Sequence, residues 1–276
     1  MKNIFITDLD HTFLRNDLSV SNFTKEVCNS ISKNSFFSVA TARTYKKAMQ
    51  FLGGVNINMP MILLDGALIA SVDKKIIDTK FISKNVADDI IDEGAKFGIY
   101  PFILALADKN LNEVFLFSEI LNPIQKKVLQ NYSSDDHLKS CKNIRALNNN
   151  FKIVYMGNEK LLRELALHVE SVFGTELKYI LAPEAYTKSY FLTILHKDAD
   201  KSEGIKTLSE YVDFDLNKLS VFGDNFNDLA MFELAATSVA VANAQDEVKA
   251  KATFVSKFTN DEDAVAHYLK GLKKDE

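Results

Sequence analysis

The sequence predicts an α/β chain in which a parallel-sheet core is interrupted by an inserted α+β block. Three observations predict it. Short apolar runs alternate with segments of helical periodicity at both ends of the chain. That alternation lapses from about 81 to 196, where the strands become longer and amphipathic. The outer apolar runs end on Asp, Thr or Asp-Gly, the kind of edge at which an open α/β sheet meets its ligand.

Ile4–Thr7 is a short β-favouring run that stops at Asp8, as a strand buried on both faces does. From about Ser21 to Lys33, Phe23, Val27 and Ile31 recur at helical spacing. Phe36–Ala40 reads as the next strand, ending at Thr41, and Thr44–Phe51 as the next helix. Met61–Leu64 is a third strand, ending at Asp65-Gly66. This order implies parallel strands joined by crossover helices. In the middle block, strands are expected at Tyr100–Leu106, Glu113–Phe117, Phe151–Met156, Leu177–Leu181 and Tyr190–Leu195, with helices at Val86–Phe97, Pro123–Asn131 and Glu159–Phe173. Phe115/Phe117 and Ile153/Tyr155 alternate as on a sheet with one covered face, so a mostly antiparallel sheet is expected. After His196 the first pattern resumes. A helix is expected over Ser202–Tyr211 and a strand over Leu219–Phe222, ending at Gly223-Asp224. A helix over Asp228–Ala235 and a strand over Ser238–Val241 follow. A helix at 247–252, a strand at 254–255 and a helix at 262–272 finish the pattern. The expected domains are a core of 1–80 with 197–276 and an insert of 81–196. Lys273-Lys274-Asp275-Glu276 reads as a solvated tail.

At 276 residues the chain can bury a full core and a smaller second unit. Its 47% hydrophobic and 25% charged residues are those of a soluble globular protein. A net charge of −4 gives no reason to expect nucleic acid or a membrane surface as partner. Cys28 and Cys141 lie outside any CxxC or His/Cys cluster, which argues against a disulfide framework or structural zinc and suits a reducing, cytoplasmic setting. The apolar N-terminal run is too short and too acidic for a signal peptide. No window approaches the roughly 18 apolar residues of a membrane span.

Four clusters follow core strands: Asp8/Asp10, Thr41, Asp65-Gly66 and Asp224/Asp228. Singly, each is also the pattern of a turn or a helix cap. Together they place carboxylates and a hydroxyl along one sheet edge, where an open α/β sheet binds its ligand. A phosphate monoester is anionic, so its transfer needs cations, fixed donors and a placed nucleophile.

In this order, Asp8-Leu9-Asp10-His11-Thr12, Thr41, Lys201 and Gly223-Asp224-Asn225-Phe226-Asn227-Asp228 resemble the four motifs of the haloacid dehalogenase (HAD) superfamily of phosphatases. Ile62-Leu63-Leu64-Asp65-Gly66-Ala67 and Val239-Ala240-Val241-Ala242-Asn243-Ala244 look like its Cof-like branch, HAD-IIB, which carries a C2B-type cap. The resemblance implies a Rossmann-like core and an inserted α+β cap that selects the substrate. It implies Asp8 as nucleophile and Asp10 as general acid and base, protonated in the first step and ionised in the second. Thr41 would donate its hydroxyl and backbone N–H to the phosphoryl group, and Lys201 would supply the fixed cation. Arg43 and Asn227 would reach phosphate or substrate. Magnesium would be held by Asp8, the Asp10 backbone carbonyl and Asp224, with Asp228 orienting the shell or holding a coordinated water. The implied activity is magnesium-dependent hydrolysis of small phosphorylated metabolites, sugar phosphates first, by a monomer or weak dimer.

Some positions depart from the pattern. His11 stands where Gly is common and reads as structural or substrate-facing. Ala42 stands in place of a Gly, and Asp65 in place of an Asn. The segment His196–Lys201 lacks the usual glycine, which leaves Lys197 as a rival to Lys201. Two other functions share these residues. A phosphomutase of the phosphomannomutase kind would pass the phosphoryl group to a sugar hydroxyl. A phospholigand-binding protein would not turn over, and the intact acid set argues against it.

Overall fold

The computed structural model describes residues 2–131, 137–184 and 188–272, so the charged tail at 273–276 lies outside them. The chain divides into two compact units, Met1–Thr79 with Asp200–Glu276, and Lys80–Ala199. The insert runs 80–199 rather than 81–196, because the turn after the last insert strand is bonded back to it, Ala199 N–H to His196 O at 2.9 Å.

The first segment of the core contains β1 (Ile4–Thr7), α1 (Asn22–Ile31), β2 (Phe36–Val39), α2 (Tyr45–Phe51), β3 (Met61–Leu63), β4 (Leu68–Ala70) and β5 (Ile76–Thr79). Every residue of β1 is buried, as its unbroken apolar run requires, and burying such a side chain contributes about 1.5–3 kcal/mol. Ser21 and Thr44 cap α1 and α2, their side chains accepting the N–H of Thr24 and Lys47. Cys28 on α1 is fully buried, and that burial pushes its thiol up to about 12, so it is inert.

The insert contains α3 (Lys84–Lys96), β6 (Phe102–Leu106), β7 (Glu113–Ser118), α4 (Pro123–Asn131), β8 (Leu138–Cys141), β9 (Asn150–Gly157), α5 (Glu159–Phe173), β10 (Leu177–Glu184) and β11 (Ser189–His196). Its sheet has the order β10-β11-β9-β6-β7-β8 and is antiparallel except for the parallel β7/β8 pair. On one face Ile103, Leu116, Ile153 and Tyr155 pack against Ile90 and Ile91 of α3 and Leu162 and Leu165 of α5. Phe115 and Phe117 do not share that covered face. They are half-buried, with Leu116 pointing to the helices instead, and Phe117 joins Phe102, Met156 and Val128 of α4 in a smaller cluster. On β7 the expected alternation is present, with Leu116 and not Phe115 or Phe117 on the helix-covered face, whereas Ile153 and Tyr155 of β9 lie on that face as expected.

The chain re-enters the core with α6 (Lys201–Val212), β12 (Leu219–Gly223), α7 (Leu229–Leu234), β13 (Thr237–Ala240), α8 (Asp246–Lys251), β14 (Phe254–Val255) and α9 (Ala264–Leu272). The core sheet has the order β14-β13-β12-β1-β2 and is parallel throughout. β3 is not one of its strands. It forms an antiparallel meander with β4 and β5, joined to the edge of the parallel sheet by a single parallel bridge, Ala40 to Ile62. The chain leaves β1 toward β2 on one side and returns as β12 on the other, so the strand order reverses between β1 and β12. A crevice opens at such a reversal beyond the carboxyl ends of the strands.

Candidate active site

Asp8 follows β1 and Asp224 follows β12, so the sheet reversal places both acids at the same crevice. Lys201, the first residue of α6, reaches Asp8 and Asp228. Its Nζ donates to Asp8 Oδ1 at 2.6 Å and to Asp228 Oδ1 at 2.7 Å. Only 1% of Lys201 is exposed, and Asp228 is fully enclosed. The other oxygen of Asp228 accepts the backbone N–H of Asp224 at 2.9 Å and of Asn225 at 3.1 Å. Asp228 therefore sets the loop that presents Asp224 as well as the lysine. The carboxylate fits beneath that loop because residue 223 has no side chain, since a Cβ there would stand 2.5 Å from Asp228 Oδ2.

Asp8, Asp224 and Asp228 each offer a carboxylate oxygen within 4.8 Å of the others, and all three are buried. Burial raises the Asp8 carboxyl well above its usual range. The Lys201 ammonium opposes this, and the Asp228 charge adds to it. Burial likewise raises Asp224 to about 6, against the Thr12 hydroxyl that donates to its Oδ1 at 2.8 Å. Burial works against the charge of Lys201, but Asp8 and Asp228 outweigh it and hold the ammonium protonated. Three carboxylates thus face one ammonium, and the cluster is short of positive charge. Its all-oxygen donor set fits a hard divalent cation such as magnesium.

The remaining expected residues are distributed differently. Lys197, the rival to Lys201, is exposed and pairs with Glu176 at 3.0 Å. Thr41 is fully buried after β2, but its backbone N–H already donates to Ile62 O at 2.9 Å and is not available to a phosphoryl oxygen. Its hydroxyl oxygen accepts the Arg43 N–H at 3.2 Å. The Arg43 guanidinium grips Asp10 through two of its three nitrogens, Nε to Oδ2 at 2.7 Å and Nη2 to Oδ1. Asp10 is thus held by a cation, with its side chain 36% exposed, and not packed among carboxylates. Asn227 is exposed and its amide donates to Asp65 Oδ1 at 3.4 Å.

The atypical positions have local causes. His11 has φ 57° and Asp65 φ 55°, in the left-handed region that favours Gly, Asn and Asp. Asp65 suits that geometry as well as an Asn would. His11 is exposed, and its Nδ1 lies 3.4 Å from Asn16 Oδ1. Gly66 has φ +92°, and a Cβ there would stand 2.2 Å from Asp200 O, the residue that caps α6 and precedes Lys201. Gly66→Ala is therefore expected to push the start of α6 and Lys201 out of place. It should cost about 1–3 kcal/mol in thermal unfolding, with a parallel loss of turnover. Unchanged stability would show that Asp200 can yield without cost. Sequence reasoning gave no role to Thr12, although it stands in the first motif. The sequence signals it only by a Thr four residues after Asp8; its burial and its bond to Asp224 come from the fold.

These residues match known proteins along the whole chain. The model of the haloacid dehalogenase-like hydrolase family matches residues 5–269. The chain belongs to that family. This haloacid dehalogenase-like hydrolase is an enzyme of the phosphatase class, acting on phosphorylated substrates. It is 26% identical over 288 residues to the 5-amino-6-(5-phospho-D-ribitylamino)uracil phosphatase YwtE of Bacillus subtilis, covering 99% of this chain and 98% of that protein. The crystal structure of TM0651 from Thermotoga maritima superposes with a TM-score of 0.81 at 25% identity, over 98% of this chain and 97% of that one. The HAD subclass IIB sugar phosphatase BT4131 shares the fold at a TM-score of 0.72 and 18% identity, each chain 99% covered. Some matches are local: with a Mycoplasma pneumoniae relative the chain shares 41% identity over 86 residues, 31% of this chain and 30% of that protein. No helix among the described residues is long and apolar enough to cross a membrane.

Proposed function

We propose that this hydrolase is a magnesium-dependent phosphatase of small phosphorylated metabolites, sugar phosphates foremost, and that it works through an aspartyl-phosphate on Asp8. The observation that carries the reading is the buried Lys201 bound to both Asp8 and Asp228 beside Asp224. Lys201 turns Asp8 and favours its ionised form, as a carboxylate nucleophile requires. An Asp8 oxygen attacks phosphorus while the bond to the leaving oxygen breaks. Asp10 gives that oxygen a proton, and the Thr41 hydroxyl donates to the transferring group. In the second step Asp10, now a carboxylate, takes a proton from the water that attacks phosphorus. Phosphate leaves and Asp8 is restored. Asp8, Asp224 and the Asp10 carbonyl would hold magnesium, with Asp228 arranging the loop around it. When bound, the ion supplies positive charge to the phosphoryl oxygens.

A sugar or sugar-alcohol phosphate is supported by the phosphorylated ribityl chain in the name of the Bacillus subtilis relative. Phosphorylated cofactors and nucleotides come next. The test is phosphate release from p-nitrophenyl phosphate and a sugar-phosphate panel, with magnesium and after exhaustive chelation. Release is expected with magnesium, loss with EDTA, and recovery on adding the ion back. Full activity after chelation would remove the metal assignment. Isomerised sugar phosphate without free phosphate would favour the mutase. The same assay reads the acid cluster. Protons compete with the metal for Asp224, whose carboxyl burial raises to about 6, so the magnesium needed for half-maximal rate should rise below about pH 6, by up to about tenfold per pH unit. A magnesium requirement unchanged between pH 7 and pH 5 counts against Asp224 as ligand.

A further inference from the structure

We infer that Phe51, on the last turn of α2, is a positioning residue for the general acid: its ring holds the Arg43 guanidinium where it grips Asp10. The inference rests on the acid role proposed for Asp10. The guanidinium carbon lies 4.4 Å from the centroid of the Phe51 ring. An arginine side chain is long and has many rotamers, so a two-point grip on a carboxylate needs its plane fixed. A ring with the guanidinium over its face limits how that group can turn, the N–H groups remain bonded to Asp10, and the ring's negative face favours the cation. The other end of Arg43 is tied to the site as well. Its N–H donates to Thr41 Oγ1 at 3.2 Å and its carbonyl accepts from Leu64 N–H at 3.1 Å.

The backbone of Arg43 is thus anchored in the two loops that follow β2 and β3, and its side chain runs between an aromatic face and Asp10. Phe51 is half-buried and lies eight residues from Arg43. It touches neither the acid cluster nor Lys201 among the contacts described. Its influence passes through the guanidinium. Removing the ring face leaves the arginine in place but lets its plane turn, so one of the two bonds to Asp10 is lost and the carboxyl drifts from the leaving oxygen.

The test separates positioning from folding by the leaving group. Proton donation matters for an alkyl phosphate, whose alkoxide is a poor leaving group, and hardly for p-nitrophenyl phosphate. The ratio kcat/KM covers events up to transfer onto Asp8, so it isolates the acid step. Phe51→Leu, which keeps apolar volume but has no ring face, is expected to lower kcat/KM for glycerol phosphate and the best sugar phosphate by about tenfold or more. The value for p-nitrophenyl phosphate should stay within about twofold. Phe51→Tyr, which keeps the ring, is expected to match wild type on both. Phe51→Met replaces the leucine variant if that one does not fold, as judged by circular dichroism. Equal losses on both substrate kinds, or none on either, would overturn the inference. Wild-type turnover of p-nitrophenyl phosphate keeps that result distinct from failure of the phosphatase reading itself.

Discussion

Asp8→Asn is expected to lower phosphate release by at least about 10⁴-fold while leaving the fold in place. The amide has the shape of the carboxyl but no charge and no nucleophilic oxygen, so no phosphoryl-enzyme forms. Stability should change little. Burial already disfavours the charged form of Asp8, and Lys201 keeps its bond to Asp228 at 2.7 Å. The measurement is phosphate release from p-nitrophenyl phosphate and from the best sugar phosphate, with thermal unfolding of the same preparations. A rate within about tenfold of wild type would remove Asp8 as nucleophile. A collapse in melting temperature would show that Asp8 carries a larger share of the architecture than its contacts suggest.

Lys201→Met should have the largest combined effect. Methionine has similar length but no charge, and it leaves the buried oxygens of Asp8 and Asp228 facing one another without a cation. Breaking a buried pair from one side costs about 3–5 kcal/mol, because the abandoned charge stays out of water. The sign with pH follows from the titration directions. In the wild type the ammonium is held above its ordinary value, so its contribution is present throughout the neutral range and is lost only in strong alkali. In the variant Asp8 loses the cation that opposes burial, so its neutral form is favoured more strongly. The deficit relative to wild type should therefore shrink as pH falls from 7 to 5. Urea denaturation at both pH values measures it. A deficit below about 1 kcal/mol at pH 7, or one that grows on acidification, contradicts this account. Turnover should also be lost, since the phosphoryl group loses its fixed cation.

Much of this molecule was legible in the residues. β1, β2, β12 and β13 were readable because strands of a parallel sheet are buried on both faces and stand out as short apolar runs. The α4 and α5 ranges agree with the helical spacing of their apolar residues. β3 was misplaced for a definite reason. A three-residue apolar strand looks the same in a parallel sheet or an antiparallel meander, and its neighbours β4 and β5 are too short to show alternation. β8 was missed because Leu138–Cys141 carries only modest apolar character and pairs at the sheet edge.

The sequence by itself determined which residue types stand at the sheet edge: Asp8, Thr41, Asp224 and Asp228 follow or flank core strands. In such a sheet the strand ends, and hence their neighbours in sequence, must gather at one side. It could not determine the partner of each side chain. Lys197 stands in the sequence as a rival to the favoured Lys201, and the fold separates them: α6 buries Lys201, while Lys197 is exposed and pairs with Glu176. Arg43 is expected from the sequence to reach phosphate or substrate, and nothing local shows that its guanidinium lies against Phe51 and bonds Asp10. The bond from Thr12 to Asp224 spans 212 residues, and the one from Arg43 to Asp10 spans 33. Contacts at such separations depend on which strands become neighbours, and that is settled by packing of the whole core, not by any local run of residues.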